Sequence, residues 1–286
     1  ATEGTSTAEF LELGAGARAA GMGEATIAAA ADATAVRYNP AAMTRVEENS
    51  ASFMHAQHLQ GAALDHLAYV RRTSPESAAG LSLLYMNYGS IQKTDEFASP
   101  IGTARPTDLA LTAAYARRLG GHSFGLSLSY IQSKIVDSAR TGAASLGFLS
   151  RPYGSRRVRV ALVAENLGGT MKFDRKADPL PLTFRAGASG FLTPGLLAAA
   201  EFAAPRDAGM YGAAGLEKWF GSPYERGLAL RAGYNTRSIG DLSGLTGVSA
   251  GLGFAFNSLT LDYAFVPFGD LGWTHRISLS LRFGSE

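Results

Sequence analysis

The chain has 286 residues, 46% of them hydrophobic and only 17% charged, with 34 glycines, no cysteine and a formal net charge of +2. An average globular chain carries about 25% charge and about 7% Gly, so this one is charge-poor and glycine-rich. The missing cysteines exclude a disulfide scaffold, a thiolate metal site and a cysteine nucleophile, and the dispersed basic residues offer no stripe for nucleic acid.

No window reaches the roughly 20 consecutive apolar residues of a membrane helix, and the most hydrophobic stretches, 79–86 and 158–164, are short. Such runs suit strands with one lipid-facing side. The chain opens on Ala1 without a charged-then-apolar leader. It reads as a mature protein whose signal peptide has been removed, or as a chain lacking one.

The first 49 residues differ from the rest. They are dominated by Ala and Gly, with glycines packed into Gly14-Ala15-Gly16 and Gly21-Met22-Gly23. Asp32-Ala33-Thr34-Ala35-Val36 predicts an N-cap and a short helix. Tyr38-Asn39-Pro40-Ala41 interrupts it, because the residue before Pro is driven out of the α region. A stretch this small cannot hold its own core and must pack against something larger.

From about Ser50 the period becomes two, the signature of a half-buried strand. Residues 50–73 alternate poorly, but later stripes are clean: Leu109/Leu111/Ala113/Tyr115, Phe124/Leu126/Leu128/Tyr130 and Val158/Val160/Leu162/Ala164. The last strand sets Ile277, Leu279, Leu281 and Phe283 on one face and Arg276, Ser278, Ser280 and Arg282 on the other. The second face is mostly Gly, Ser, Thr and Ala rather than the Lys and Glu of a water-facing sheet, which suits a crowded lumen. Breakers such as Gly120-Gly121, Pro194-Gly195 and Gly221-Ser222-Pro223 divide the chain into about fourteen segments. Each is near the ~9–11 residues of a tilted membrane strand. An even number closes an antiparallel barrel without a free edge in lipid. Tyr88, Tyr153, Trp219, Phe220, Tyr224, Phe268 and Trp273 lie near segment ends, as interfacial girdles would. The longest connections are 89–107, 168–181 and 236–244.

Three stretches carry a family resemblance. The first is Phe10-Leu11-Glu12-Leu13-Gly14-Ala15-Gly16-Ala17-Arg18-Ala19-Ala20-Gly21-Met22-Gly23 followed by Tyr38-Asn39-Pro40-Ala41. The second is Glu165-Asn166-Leu167-Gly168 followed by Leu180-Pro181-Leu182 and Arg185-Ala186-Gly187. The third runs Leu261-Asp262-Tyr263-Ala264-Phe265-Val266-Pro267-Phe268-Gly269-Asp270-Leu271-Gly272, then Thr274-His275-Arg276. In this order they resemble the PorV/PorQ family of FadL-type outer-membrane barrels. That resemblance implies a fourteen-stranded antiparallel transmembrane β-barrel over 50–286 with an N-terminal hatch, 1–49, in its lumen. It also implies the outer membrane of a diderm bacterium, and two different jobs. PorV-type members serve type IX secretion through outer-membrane protein partners. FadL-type barrels pass small hydrophobic molecules across the membrane. The short loops of this chain depart from a secretion member that needs a large extracellular platform.

No catalytic, cofactor or metal constellation emerges, so the expectation is a non-enzyme whose surroundings are membrane lipid and protein partners. The five histidines lack triad or metal spacing, and His55 and His58, three apart, point to opposite faces of a strand. The paired glycines complete no phosphate-binding fingerprint; close packing of the hatch backbone accounts for them. The inward charges form the candidate site. Arg185, Glu201, Arg231, Asp262, Arg276 and Arg282 alternate with lipid-facing residues, and Glu165 closes an earlier stripe. They read either as a salt-bridge network pinning the hatch through Arg18, Asp32 and Arg37, or as a polar path for a solute. Asn39 is either a simple helix stop or part of a hatch motif.

Overall fold

The structure, a computed structural model, describes residues 7–58, 61–95, 97, 99–134, 138–173, 176–237 and 246–284. Fourteen strands form one closed antiparallel barrel. The chain enters the wall with β1 (Asn49–Gln57), β2 (Ala63–Ser74) and β3 (Ser77–Asn87). A small hairpin of β4 (Ile91–Thr94) and β5 (Pro100–Ala104) precedes β6 (Thr107–Leu119), β7 (His122–Lys134), β8 (Ser138–Leu149) and β9 (Arg159–Leu167). A second hairpin, β10 (Thr170–Phe173) with β11 (Lys176–Pro179), leads into β12 (Thr183–Thr193) and β13 (Leu196–Pro205). The wall continues through β14 (Tyr211–Gly221), β15 (Arg226–Asn235), β16 (Val248–Phe256), β17 (Leu259–Pro267) and β18 (Trp273–Phe283). β18 returns to β1, with Asn49 opposite Phe283 and Gln57 opposite His275.

The alternation explains the wall. Leu228, Leu230, Leu252, Phe254, Leu279 and Leu281 are all exposed on the outer face, while Ser249, Arg231, Asp262 and Ser278 between them are buried inside. Along β1 and β2 the rule is hidden in sequence for a physical reason. Met54, Ala56, Leu64, Ala68 and Val70 face inward and are themselves apolar, because they pack on the N-terminal segment.

The two ends differ. At one, tight turns join the strands, as at Gly120-Gly121, where φ values of 57° and 83° meet the two left-handed positions of a short hairpin. At the other lie the long connections that carry the two extra hairpins; residues 238–244 of the third fall outside the described residues. Tyr153, Phe220, Tyr224 and Trp273 are exposed at strand ends. Three of the expected girdle aromatics are not. Trp219 shares the inward side with Glu217, under the guanidinium of Arg231 at 5.7 Å, while Tyr88 and Phe268 line an inner cavity.

The N-terminal segment crosses the interior from the long-connection end to the tight-turn end. Thr7 N–H donates to Pro179 O at 3.2 Å. Phe10 and Leu11, in a 3-10 turn, pack with Met54, Leu64, Met86 and Leu180. Helix α1 (Ala17–Gly21) lies against β15–β18. Helix α2 (Ala35–Tyr38) has Thr34 as its N-cap, without a side-chain cap bond; Asp32 Oδ1 accepts Thr34 N–H at 2.9 Å in the turn before it, and the helix ends at the extended Asn39. Residues Pro40–Arg45 form a 3-10 turn against β3 and β6–β8. Val46 O then accepts from Arg72 at 2.8 Å, just before β1 begins. Phe10, Ile27 and Met43 are fully buried along this path, each stabilising by roughly 1.5–3 kcal/mol.

Candidate functional site

Contact between segment and wall depends first on missing side chains. A Cβ on Gly233 would come within 2.0 Å of the Gly23 nitrogen, and one on Gly215 within 2.4 Å of Met22 O. On the opposite side a Cβ on Gly125 would meet Ala41 N at 2.3 Å. At these points of closest backbone approach the wall is glycine. Asn39 completes that contact. Its Nδ2 donates to Ile27 O at 2.9 Å and Phe148 O at 3.2 Å, and its Oδ1 accepts Ala41 N–H at 3.0 Å.

Buried charges add three links. Arg18 donates to both oxygens of Glu217, at 2.7 and 2.8 Å, and Glu217 also accepts from Arg231, which reaches Asp262 at 2.7 Å. Arg185 joins Glu165 at 2.9 Å and Glu201 at 2.5 Å, with Arg37 3.6 Å from Glu165. The second oxygen of Glu201 accepts the backbone N–H groups of Thr26 and Ile27 at 3.1 and 3.2 Å. Arg276 donates to Glu24 at 2.7 Å, and Tyr38 Oη donates to the same carboxylate at 2.9 Å. Taken alone, the first two wall groups each have one carboxylate in excess and the third one cation in excess. Arg18, Arg37 and Glu24 of the segment cancel these charges one for one.

Two candidate residues stand apart from these clusters. Asp32 caps its own turn through Thr34 instead of pairing with the wall. Arg282 lies at the tight-turn end, where it donates to Pro223 O at 2.6 Å and Asn257 O at 3.1 Å and covers the Tyr224 ring at 4.6 Å. Conversely, Glu217, Glu24 and Tyr38 were not among the sequence candidates. Glu217 follows the same inward alternation as Gly215 and Trp219 and was legible from it. Glu24 sits in a stretch without period, so nothing in the sequence marked it.

Above the segment, at the long-connection end, lies a vestibule of about 1030 Å³. Its floor carries Glu24, Arg37, Glu165, Arg185 and Arg276, and its sides include Phe10, Leu13, Met86, Val248 and Phe268. At its mouth Glu12 pairs with Arg237. Burial raises the Glu12 carboxyl above its ordinary range despite that cation, and burial lowers the His58 imidazole, Arg276 adding to the effect. A second hollow, of about 610 Å³, opens on the outer face between Phe124, Phe148, Leu162, Phe184 and Phe202. It adjoins a β-bulge. Ala144 faces Leu167 but Leu146 faces Ala164, so β9 holds one extra residue, and Asn166 takes φ 57° there. Arg185 borders both the vestibule and this hollow.

An even, closed antiparallel wall with an apolar outer belt and a polar interior defines an outer-membrane β-barrel. The family model of the type IX secretion system protein PorV matches residues 2–191, two thirds of the chain. The chain belongs to the PorV family. Its fold is that of FadL-type outer-membrane channels. The Ralstonia pickettii toluene transporter TbuX is 12% identical, with a TM-score of 0.61 over 94% of this chain and 98% of that one. The CymD monoaromatic hydrocarbon channel is 15% identical, with a TM-score of 0.62 over 95% and 98%. A Pseudomonas aeruginosa FadL homologue is 11% identical, with a TM-score of 0.60 over 94% and 98%. No curated protein matches the sequence.

Proposed function

We propose that residues 1–49 act as a fixed hatch and that the barrel works through a protein partner, as an accessory of type IX secretion or of a related envelope complex. One observation carries this reading: the charges of the wall are cancelled one for one by Arg18, Arg37 and Glu24 of the segment. A plug that left would break these ion pairs and expose Phe10, Ile27 and Met43 to water as the lumen flooded, which is unfavourable, so the design favours a docking body over an open pore. The charged vestibule floor also discourages a purely apolar solute, which would strip water from those groups and return no hydrogen bond. Membership of a secretion family supports the same direction. No catalytic step belongs to this reading.

The outer hollow favours a second reading, passive movement of small hydrophobic molecules out of the lumen past Arg185. The toluene transporter and monoaromatic hydrocarbon channel that share the fold support it by analogy. Purification in mild detergent followed by mass spectrometry of bound species separates the two. A stoichiometric protein partner is expected. A retained hydrophobic molecule with no protein overturns the partner reading in favour of transport.

A further inference from the structure

The apolar belt is not of even height. On β7 four successive outward positions are apolar, Phe124, Leu126, Leu128 and Tyr130, and β18 likewise presents Ile277, Leu279, Leu281 and Phe283. On β2 only Leu67 and Tyr69 stand between Asp65 and Arg71. On β1 the outward series passes from Phe53 straight to His55 and Gln57. At ~3.3 Å per residue and a tilt near 45°, the step from Asp65 to Arg71 rises only about 14 Å, against an apolar band of about 25 Å.

Ionisable and polar groups fill the shortfall. His55 Nδ1 lies 2.7 Å from Asp65 Oδ1, with the side chains 53% and 37% exposed on the outer face. Among the described residues, Asp65 is the one outward-facing carboxylate of the fourteen barrel strands. Next to it on the closing side, Tyr263 Oη and His275 Nδ1 are 2.6 Å apart, and Gln57 lies opposite His275. Ionisable side chains at membrane depth normally face a cavity or a partner, and a belt shorter than the bilayer is relieved by thinning the lipid or by association. The cluster of His55, Gln57, Asp65, Tyr263 and His275 contains no Lys or Arg, so it is not built for an anionic headgroup. A two-fold contact between copies would turn this sole carboxylate towards its own image.

We infer that the face formed by β1 and β2, together with the long-connection ends of β17 and β18 around Tyr263 and His275, is the docking surface for a second outer-membrane protein of different sequence. Its membrane-facing side offers hydrogen-bonding groups to His55–Asp65 and Tyr263–His275, and apolar side chains to Phe53 and Leu67. The inference rests on the partner reading above and adds which face the partner covers.

The test places a photo-crosslinking amino acid at position 53, 67, 128 or 252 of the full chain in intact outer membranes, with products identified by mass spectrometry. Adducts with one outer-membrane protein are expected from 53 and 67 and not from 128 or 252. The paired change His55→Leu and Asp65→Leu, which lengthens the apolar run, lowers that adduct at least tenfold while the barrel stays heat-modifiable. The matched control Gln132→Leu with Lys134→Leu leaves it unchanged. Adducts only with lipid, or with a second copy of this chain, overturn the inference. Protein adducts from 128 or 252 alone overturn it and leave the partner reading standing; no protein adduct anywhere removes both.

Discussion

Replacing Arg18 by Met isolates the link between the N-terminal segment and the wall. Arg18 makes two bonds to Glu217, whose side chain is only 4% exposed, and Arg231 on its other side is fully buried. Without Arg18 the cluster keeps one cation and two carboxylates. Two unit charges about 4 Å apart at an effective dielectric near 20 interact by about 4 kcal/mol, and stripping one member from a buried pair typically costs about 3–5 kcal/mol. R18M is therefore expected to lower unfolding stability by roughly that amount. E217Q leaves two cations against Asp262 and is expected to cost a similar amount. The double variant restores neutrality through Arg231 and Asp262. It should lose about 2–3 kcal/mol less than the sum of the single changes, well beyond the ~0.5 kcal/mol scatter of independent sites. Urea unfolding in micelles, followed by the fluorescence of Trp219 beside Arg231, measures all three. Losses that add within that scatter would refute the bond between Arg18 and Glu217.

Three further outcomes follow from the geometry. Gly233→Ala forces a Cβ to within 2.0 Å of Gly23 N, so limited proteolysis should newly cut within residues 7–48 of a barrel that still shifts on heating; unchanged resistance counts against the close contact. Asn39→Ala removes three hydrogen bonds from a fully buried site and should cost about 1–3 kcal/mol in the same unfolding assay, whereas a loss below ~0.5 kcal/mol speaks against its clasp on β8. Leu279→Arg puts charge on the exposed belt at about 2–4 kcal/mol and should block assembly, while Ser280→Arg, facing inward, is milder; equal yields of heat-modifiable barrel from both would reverse the assigned faces.

Most of the wall was legible because its logic is local. Each stripe such as Leu228/Leu230/Ala232/Tyr234 declares its own faces, and Gly120-Gly121 or Pro194-Gly195 declares its own turn. The interior was less so. Met54 and Leu64 broke the alternation because they meet a surface supplied by residues forty or more positions away. The partners of Arg185 and Arg231 could be guessed as inward carboxylates, but the pairing itself depends on cross-strand register, which opposes Glu217 to Arg231 and Gly187 to Glu201. Trp219 misled as a girdle residue because an aromatic near a turn looks the same whichever way its strand parity points. Arg282 misled in the opposite direction, since parity put it inside while its height put it at the rim.

The route of the N-terminal segment also bears on biogenesis. Joining Asn49 to Phe283 unites the two most distant edges of the sheet, and loop-closure entropy makes such a join late and slow. A cord that already lies within the curling sheet, from beside Pro179 to beside Arg72, is spared threading through a closed ring. The nascent ring therefore wraps around its own leading stretch like a stave-built cask raised about a spindle, and a folding intermediate of this protein should be an open C, already loaded, waiting on a single row of hydrogen bonds.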